Sequence, residues 1–487
     1  METRMRFVTL VFLALAVSAV AVYAMRPTPR LDGLLAAADS SEDLRARLFA
    51  FADSAERVGD WFQTGAAWYY AGLSFDRGGV GDSAVACYER AASVRGAGEE
   101  RLALASALLR RQGPGDVARA RDVLERLGRE TTGEGDETAQ GLLAWSMFLA
   151  GHADSAAAAF THVRPALEQD LEWRFRLAQV SLANQDLNDT YRLLWPLAIL
   201  SRRTDPDVLR MLTEALGPRV RPQRIDDELA RAMRERDIAE SRILLALRAR
   251  RASFTGRDGF PLAGVVVADS GKRAQRAAVV LVAAGDTLAD YDTLAADLLG
   301  EGFATLLLDL RGHGRSVAPF CPLPGTWRGR EELMQALCAQ DVPLALRALA
   351  SATRVDTTRY LIVAAGAAAP IAAETAAEDP RVAALLLASP NPSLVERGTM
   401  RARLASRTLP LYVLTAPEDI LIAGYVDRLY QVSDRRASRV DDASVPGSGA
   451  TLFNEAPASR ARFLRWLRET WAARARRPAP PKAPHTR

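Results

Sequence analysis

Cysteine is scarce in this chain: 487 residues contain three, at positions 87, 321 and 338. None are spaced as C-x-x-C, which argues against a zinc knuckle or a dithiol redox pair. Cys87 falls in a different half from Cys321 and Cys338, so at most one disulfide could close within a domain, and none is expected. An excess of one charge is also lacking. The 63 basic and 59 acidic residues leave a net charge of only +4. The basic character comes from arginine outnumbering lysine, not from a basic stripe. The arginine-rich stretches Arg248–Arg251 and Arg474–Arg477 sit at a domain edge and in the tail. They read as solvated faces, and no nucleic-acid partner is expected. No cofactor motif and no metal-ligand spacing occurs.

At 487 residues the chain is too long for a single core, and two or three domains are expected. It is 49% apolar and 25% charged, which places it among ordinary globular proteins. Its first 25 residues differ. Arg4 and Arg6 precede an uncharged, mostly apolar run from Phe7 to Met25, and Arg26 and Pro27 follow. Those residues as a helix span roughly 28 Å, near the hydrocarbon thickness of a bilayer. A cleaved signal peptide and an uncleaved anchor are the two readings. The run is longer than a usual signal core, and A-x-A triplets such as Ala19–Ala21 lie inside it, which favours the anchor. Its N-terminal arginines keep that end in the cytoplasm, with the soluble part exported; a cleaved leader would instead release it to the periplasm. Residues 476–487 form a Pro-rich basic tail expected to be disordered.

From Leu31 to Arg250 no alternating strand pattern emerges. Alanine, leucine and arginine dominate, which favours helix. One stretch places Trp68, Ala71, Gly72 and Phe75 on a first helix and Ala84, Tyr88 and Ala91 on a second. The Gly72 position returns as Leu108, Ala144 and Ala178, and the Ala84 position as Ala120, Ala156 and Thr190, at spacings of 36, 36 and 34 residues. Turn signals separate the helices, among them Gly78-Gly79, Gly113-Pro114-Gly115 and Gly151. This pattern resembles the tetratricopeptide repeat, whose period is about 34 residues. Four repeats are expected over residues 31–250, capped by helices near Asp205–Leu216 and Asp226–Arg250. The resemblance implies a concave groove for a protein or peptide. The alternative is that the array packs on the second half and binds nothing else.

After Arg251 short apolar runs alternate with helical segments, as in a parallel sheet with crossovers. Strands are expected at Leu262–Ala268, Ala278–Ala284, Ala304–Leu310, Tyr360–Ala364, Val382–Ala388, Leu411–Thr415 and Arg439–Val445. Helices are expected near Tyr291–Gly300, Arg330–Ser351, Ala367–Glu378, Gly424–Tyr430 and Pro457–Ala475. Four motifs carry a resemblance to the α/β-hydrolase superfamily over residues 253–475. RDGFPLAGVVVAD (257–269) resembles its opening hairpin, and DLRGHGRS (309–316) its post-strand turn. APED (416–419) resembles its acid loop, and PGSGA (446–450) the loop that ordinarily ends in histidine. The resemblance implies a mostly parallel sheet with helices on both faces.

It also implies a serine on a sharp strand-to-helix turn, G-x-S-x-G, and no such motif occurs. The junction reads Ala364-Ala365-Gly366-Ala367-Ala368, with Gly366 at the nucleophile position. Ala450 holds the base position, and only the acid, Asp419, remains. Four histidines exist in all, at 152, 162, 313 and 485. The first two fall in the repeats and the last in the tail. His313 belongs to a turn where active relatives carry it without using it as base. Cys321 lies on an excursion away from the turn. The vestigial pocket is expected around Gly285, Asp286, Gly366, Ala367 and Asp419, with the Asp286 and Ala367 amides shaping an oxyanion hole. The reading is a membrane-anchored, non-catalytic scaffold or binding protein. An active esterase or peptidase-like hydrolase with a non-standard site, or a small-molecule sensor using the pocket, is the alternative.

Overall fold

The computed structural model describes residues 41–475 with Leu31 and Leu34, apart from 97, 131–136, 169, 218–221, 270, 272–273, 283–285, 391–399, 402, 418, 420–422, 444 and 446–448. The apolar run 7–25, the tail 476–487 and Gly285 lie outside the described residues. Among the described residues no helix is long and apolar enough to cross a membrane.

Eleven helices of two turns or more open the described chain. They are α1 (Ser41–Arg57), α2 (Trp61–Arg77), α3 (Gly81–Val94), α4 (Gly98–Arg111), α5 (Asp116–Glu130), α6 (Glu137–Leu149), α7 (Ala153–Phe160), α8 (Leu171–Ala183), α9 (Leu187–Leu200), α10 (Pro206–Leu216) and α11 (Pro222–Ala246). Aspartate side chains start several of them. Asp60, Asp170, Asp186 and Asp205 each accept from backbone N–H groups of the first turn, which otherwise have no helical acceptor. Consecutive helices pack together along the chain, and α4 with α6, α8 with α10 and α9 with α11 also meet. The recurring small positions explain how. Leu108, Ala144 and Ala178, like Ala84, Ala120, Ala156 and Thr190, are fully buried at 0% exposure. At Gly72 a Cβ would stand 2.7 Å from the Tyr88 ring, so the absence of a side chain on α2 is what lets α3 approach.

Arg248, at φ 51°, follows α11 and turns the chain into an eight-stranded sheet. Its strands are β1 (Arg250–Thr255), β2 (Pro261–Val267), β3 (Gln275–Val282), β4 (Phe303–Asp309), β5 (Val355–Ala365), β6 (Val382–Ala388), β7 (Leu411–Thr415) and β8 (Arg439–Asp442). The order is β1-β2-β4-β3-β5-β6-β7-β8, with β2 antiparallel to both its neighbours and the rest parallel. Alternation along β5 sends Ile362 and Ala364 to one face, under α13 (Glu331–Ala352), α14 (Ala369–Glu378) and α15 (Ala423–Val432). Leu361, Val363 and Ala365 face the other side, under α12 (Asp292–Gly300) and α16 (Pro457–Ala475). Both faces are thus covered, as the resemblance implies.

The structure departs from the sequence expectation at several edges. The last helix of the first half stops at Ala246, and Arg250 opens a strand, because β2 supplies an antiparallel partner for that stretch. β5 begins at Val355, where Gln275 and Arg276 of β3 pair with Val355 and Asp356 ahead of a register shift. β8 ends at Asp442, short of Val445.

Candidate functional site

The carboxyl ends of β3, β5 and β7 carry the positions singled out in the sequence. Gly366 follows β5 at φ 51° and starts a single 3₁₀ turn, Gly366–Ala368, that leads into α14. This left-handed geometry disfavours a residue with a Cβ. Nothing lies within 4 Å of where that Cβ would be. Ala364 and Ala368 on either side are buried, whereas Ala367 is exposed.

Ala450 is 2% exposed and sits in the turn Gly449–Thr451, which packs against β5. The chain beyond it ties this turn to the loop after β3. Phe453 meets Tyr291 with ring centroids 5.7 Å apart, and Asn454 Nδ2 donates to the Ala289 carbonyl at 2.8 Å. In that loop Asp286 is half-buried, and its Oδ2 accepts from the Tyr291 hydroxyl at 2.6 Å. The β3, β5 and base-position loops are therefore brought together. Asp419 follows β7, two strands from β5. Its Oδ2 accepts from the Ala416 N–H at 2.9 Å, closing its own turn.

Neither displaced candidate joins this cluster. His313 follows β4, separated from β5 by β3. Its Nδ1 lies 2.8 Å from the Arg311 carbonyl, and its ring stands edge-on to Trp327. Burial pushes it down to about 4, so the imidazole is neutral at physiological pH. Cys321 is buried, which raises its thiol above the usual range and disfavours the thiolate a nucleophile needs.

One residue at this edge carries no sequence signal. Ser389 follows β6, whose Ala388 pairs with Ala365 just before Gly366. It is 3% exposed at φ 40°, and its Oγ has no hydrogen-bond partner among the described residues. A serine behind an apolar strand looks like an ordinary strand end; only the backbone angle marks it.

The DLRGHGRS turn instead organises the fold. Arg311 is buried, with Nε donating to Asp341 Oδ2 and Nη1 to Asp258 Oδ2, both at 2.6 Å. Nη2 donates to both carboxylates at 2.9 Å, and the guanidinium lies 4.6 Å over the Phe260 ring. The β1–β2 hairpin, the turn and α13 are thereby clamped on one cation. The same region holds the two halves together. Arg202 Nε donates to the Gly314 carbonyl at 3.3 Å, and Arg315 pairs with Asp237 and Glu240 of α11. The excursion between β4 and α13 also enters the helical half. Leu323 belongs to its apolar core, and Arg328 pairs with Glu172 of α8 at 2.9 Å. The helical array thus packs on the second half.

Residues 273–432 match the family described as serine aminopeptidase, S33. No curated protein matches the sequence. Among solved structures, an esterase of Pyrococcus furiosus is 13% identical, covering 47% of this chain and 93% of its own, with a TM-score of 0.35. A CIB-like hydrolase from Thermoplasma acidophilum is 16% identical over 45% of this chain and 98% of its own, at 0.36. A 2,6-dihydroxy-pseudo-oxynicotine hydrolase is 15% identical over 64% and 89%, at 0.38. Likeness at this level carries no weight on mechanism.

Proposed function

We propose that this chain is a non-catalytic α/β-hydrolase-fold protein, a scaffold or binding protein held at a membrane by residues 7–25. Its helical half is a tetratricopeptide-like array fixed on the hydrolase fold, and a protein or peptide partner binds the surface that remains. The family match over 273–432 fits an active hydrolase equally well, so the reading rests on the residues at three positions. The observation that carries it is Gly366: the left-handed elbow angle is retained, and the residue holding it has no side chain. Ala450 removes the base as well, and Asp419 alone cannot activate a nucleophile.

The test is exposure of the purified chain to a fluorophosphonate probe, followed by mass spectrometry, together with turnover of short-chain nitrophenyl esters. Neither labelling nor turnover above background is expected. Turnover that disappears in Asp419→Ala would overturn the reading in favour of an active hydrolase with a non-standard site. Use of the pocket as a small-molecule sensor would appear as a ligand-induced rise in melting temperature.

A further inference from the structure

Arginines of the helical half are widely paired: Arg47, Arg90, Arg95, Arg110, Arg111, Arg164 and Arg192 all hold carboxylates. The outward face of α11 breaks this habit. Arg231, Arg234, Ile238, Arg242 and Leu245 are all exposed and follow one another at intervals of three and four residues, so they share one side of the helix. Arg248 and Arg250 extend the strip past the helix end, and both are exposed. Arg234, Arg242, Arg248 and Arg250 have no ion pair among the described residues. Arg231 reaches only Glu235, at 3.9 Å with both side chains largely in solvent. Ile238 is 55% exposed and Leu245 82%.

Two of the three acids between Arg231 and Arg250, Asp237 and Glu240, are turned the other way, whereas Glu235 stays in solvent beside Arg231. Arg251 and Arg315 of the second half hold Asp237 and Glu240, together with Arg202 of the helical half. Leu244 is buried in the core shared with the sheet. The outward face therefore carries more guanidinium groups than carboxylates, with Glu235 the one acid between Arg231 and Arg250 that stays outward, around two protruding apolar side chains.

We propose that this outward face docks on an anionic lipid surface. Ile238 and Leu245 would enter the headgroup layer, and Arg234, Arg242, Arg248 and Arg250 would meet lipid phosphates. The spacing favours lipid over a protein. The two apolar side chains are about 10 Å apart along the axis with a guanidinium between them. A protein interface would instead need a contiguous, desolvated apolar centre. Basic residues flanking a few large apolar side chains are what an interfacial helix uses, and their attraction to anionic lipid is screened by salt. The inference is independent of the loss of catalysis.

The test uses the full chain with an environment-sensitive fluorophore on Ser241→Cys, on the same face; Cys87, Cys321 and Cys338 are buried and would not compete for label. The labelled protein is mixed with phosphatidylcholine vesicles, or with equimolar phosphatidylcholine and phosphatidylglycerol. A blue shift with the anionic vesicles only, reversed by salt, is expected. Arg234→Glu/Arg242→Glu and Ile238→Ser/Leu245→Ser should each weaken that response by about tenfold or more while melting like the parent. The probe reports this face alone, so binding through residues 7–25 does not mimic the result. A probe that stays aqueous while the protein floats with anionic vesicles would overturn the proposal. So would a response to polyglutamate or DNA with none to vesicles, which would assign the face to another polyanion.

Discussion

Gly79, in the turn between α2 and α3, abuts the carbonyl oxygen of Gly329 in the second half so closely that a Cβ on Gly79 would overlap it. Gly79 also holds φ 73°, where a side chain is strained irrespective of space. Two costs therefore meet at one atom of the seam. Gly79→Ala is expected to destabilise by roughly 2 kcal/mol or more. Because the clash lies between the halves, the loss should appear first as faster proteolysis of the β4–α13 excursion. A variant that melts and is cleaved like the parent would mean the seam is looser than this contact requires.

Arg311 supplies a second test of what holds the fold. Asp341 is 2% exposed and its carboxyl is raised by burial, so it depends on the cation beside it. Arg311→Leu should cost about 3–5 kcal/mol, because it strands a buried charge. Arg311→Leu/Asp341→Leu should recover much of this, since an apolar pair asks for no counter-ion. Denaturant unfolding of the three proteins measures both. Equal loss in the single and double variants would show that Asp258, not Asp341, is the partner that matters.

These two contacts also show what the sequence could and could not say. Val382–Ala388, Leu411–Thr415 and Pro457–Ala475 fall where expected, because each is a periodic or apolar run bounded by breakers. β1 was hidden because Arg250–Thr255 carries no apolar run of its own and becomes a strand only by pairing with β2. The turn from β5 through Gly366 into α14 was legible because its strand, glycine and helix are contiguous. Arg311 grips residues 53 and 30 positions away, and such a clamp leaves no local pattern. The insertion of Leu323 into the helical core was invisible for the same reason.

A pH dependence follows from Asp309, which is buried under the turn and raised by that burial to about 6. The Arg315 N–H donates to its Oδ2 at 2.9 Å, and Glu240, Arg202 and Arg315 are the charged side chains acting on it. The folded state keeps this proton where the unfolded chain, near 3.9, has released it. The contribution of Asp309 is therefore complete below about pH 4 and is lost as pH rises towards about 6. Asp309→Asn keeps the acceptor and removes the titration. Across that window the parent should lose up to about 3 kcal/mol relative to the variant. Parallel stability curves would show that Asp309 titrates normally in the fold.

Ser389 should be improvable. Its φ of 40° disfavours a Cβ, and its buried hydroxyl has no partner among the described residues. Ser389→Gly relieves the angle and removes the hydroxyl together, and a gain of about 1 kcal/mol is expected despite the added unfolded-state entropy. Ser389→Ala removes the hydroxyl alone and should gain less. A loss in both variants, read by thermal unfolding, would mean the hydroxyl is bonded after all.

Installing a serine at Gly366 and a histidine at Ala450 tests the register of the proposed site. Gly366→Ser has room for its side chain, since nothing lies within 4 Å of the new Cβ, but φ 51° remains unfavourable. A loss of about 1 kcal/mol in stability is expected, without labelling by a fluorophosphonate, because a lone serine hydroxyl is a weak nucleophile. Ala450→His would add a base on the turn packed against β5, with Asp419 as the remaining acid. Ala450 is 2% exposed, so the imidazole must displace neighbours such as Leu452 or swing outward, and the double variant should be less stable than Gly366→Ser. If the turn at Gly449–Thr451 faces the elbow, the double variant should nevertheless label more than either single one. A folded double variant that labels no better than Gly366→Ser would mean that Ala450 does not hold the proposed base position, while leaving the proposed elbow position of Gly366 intact.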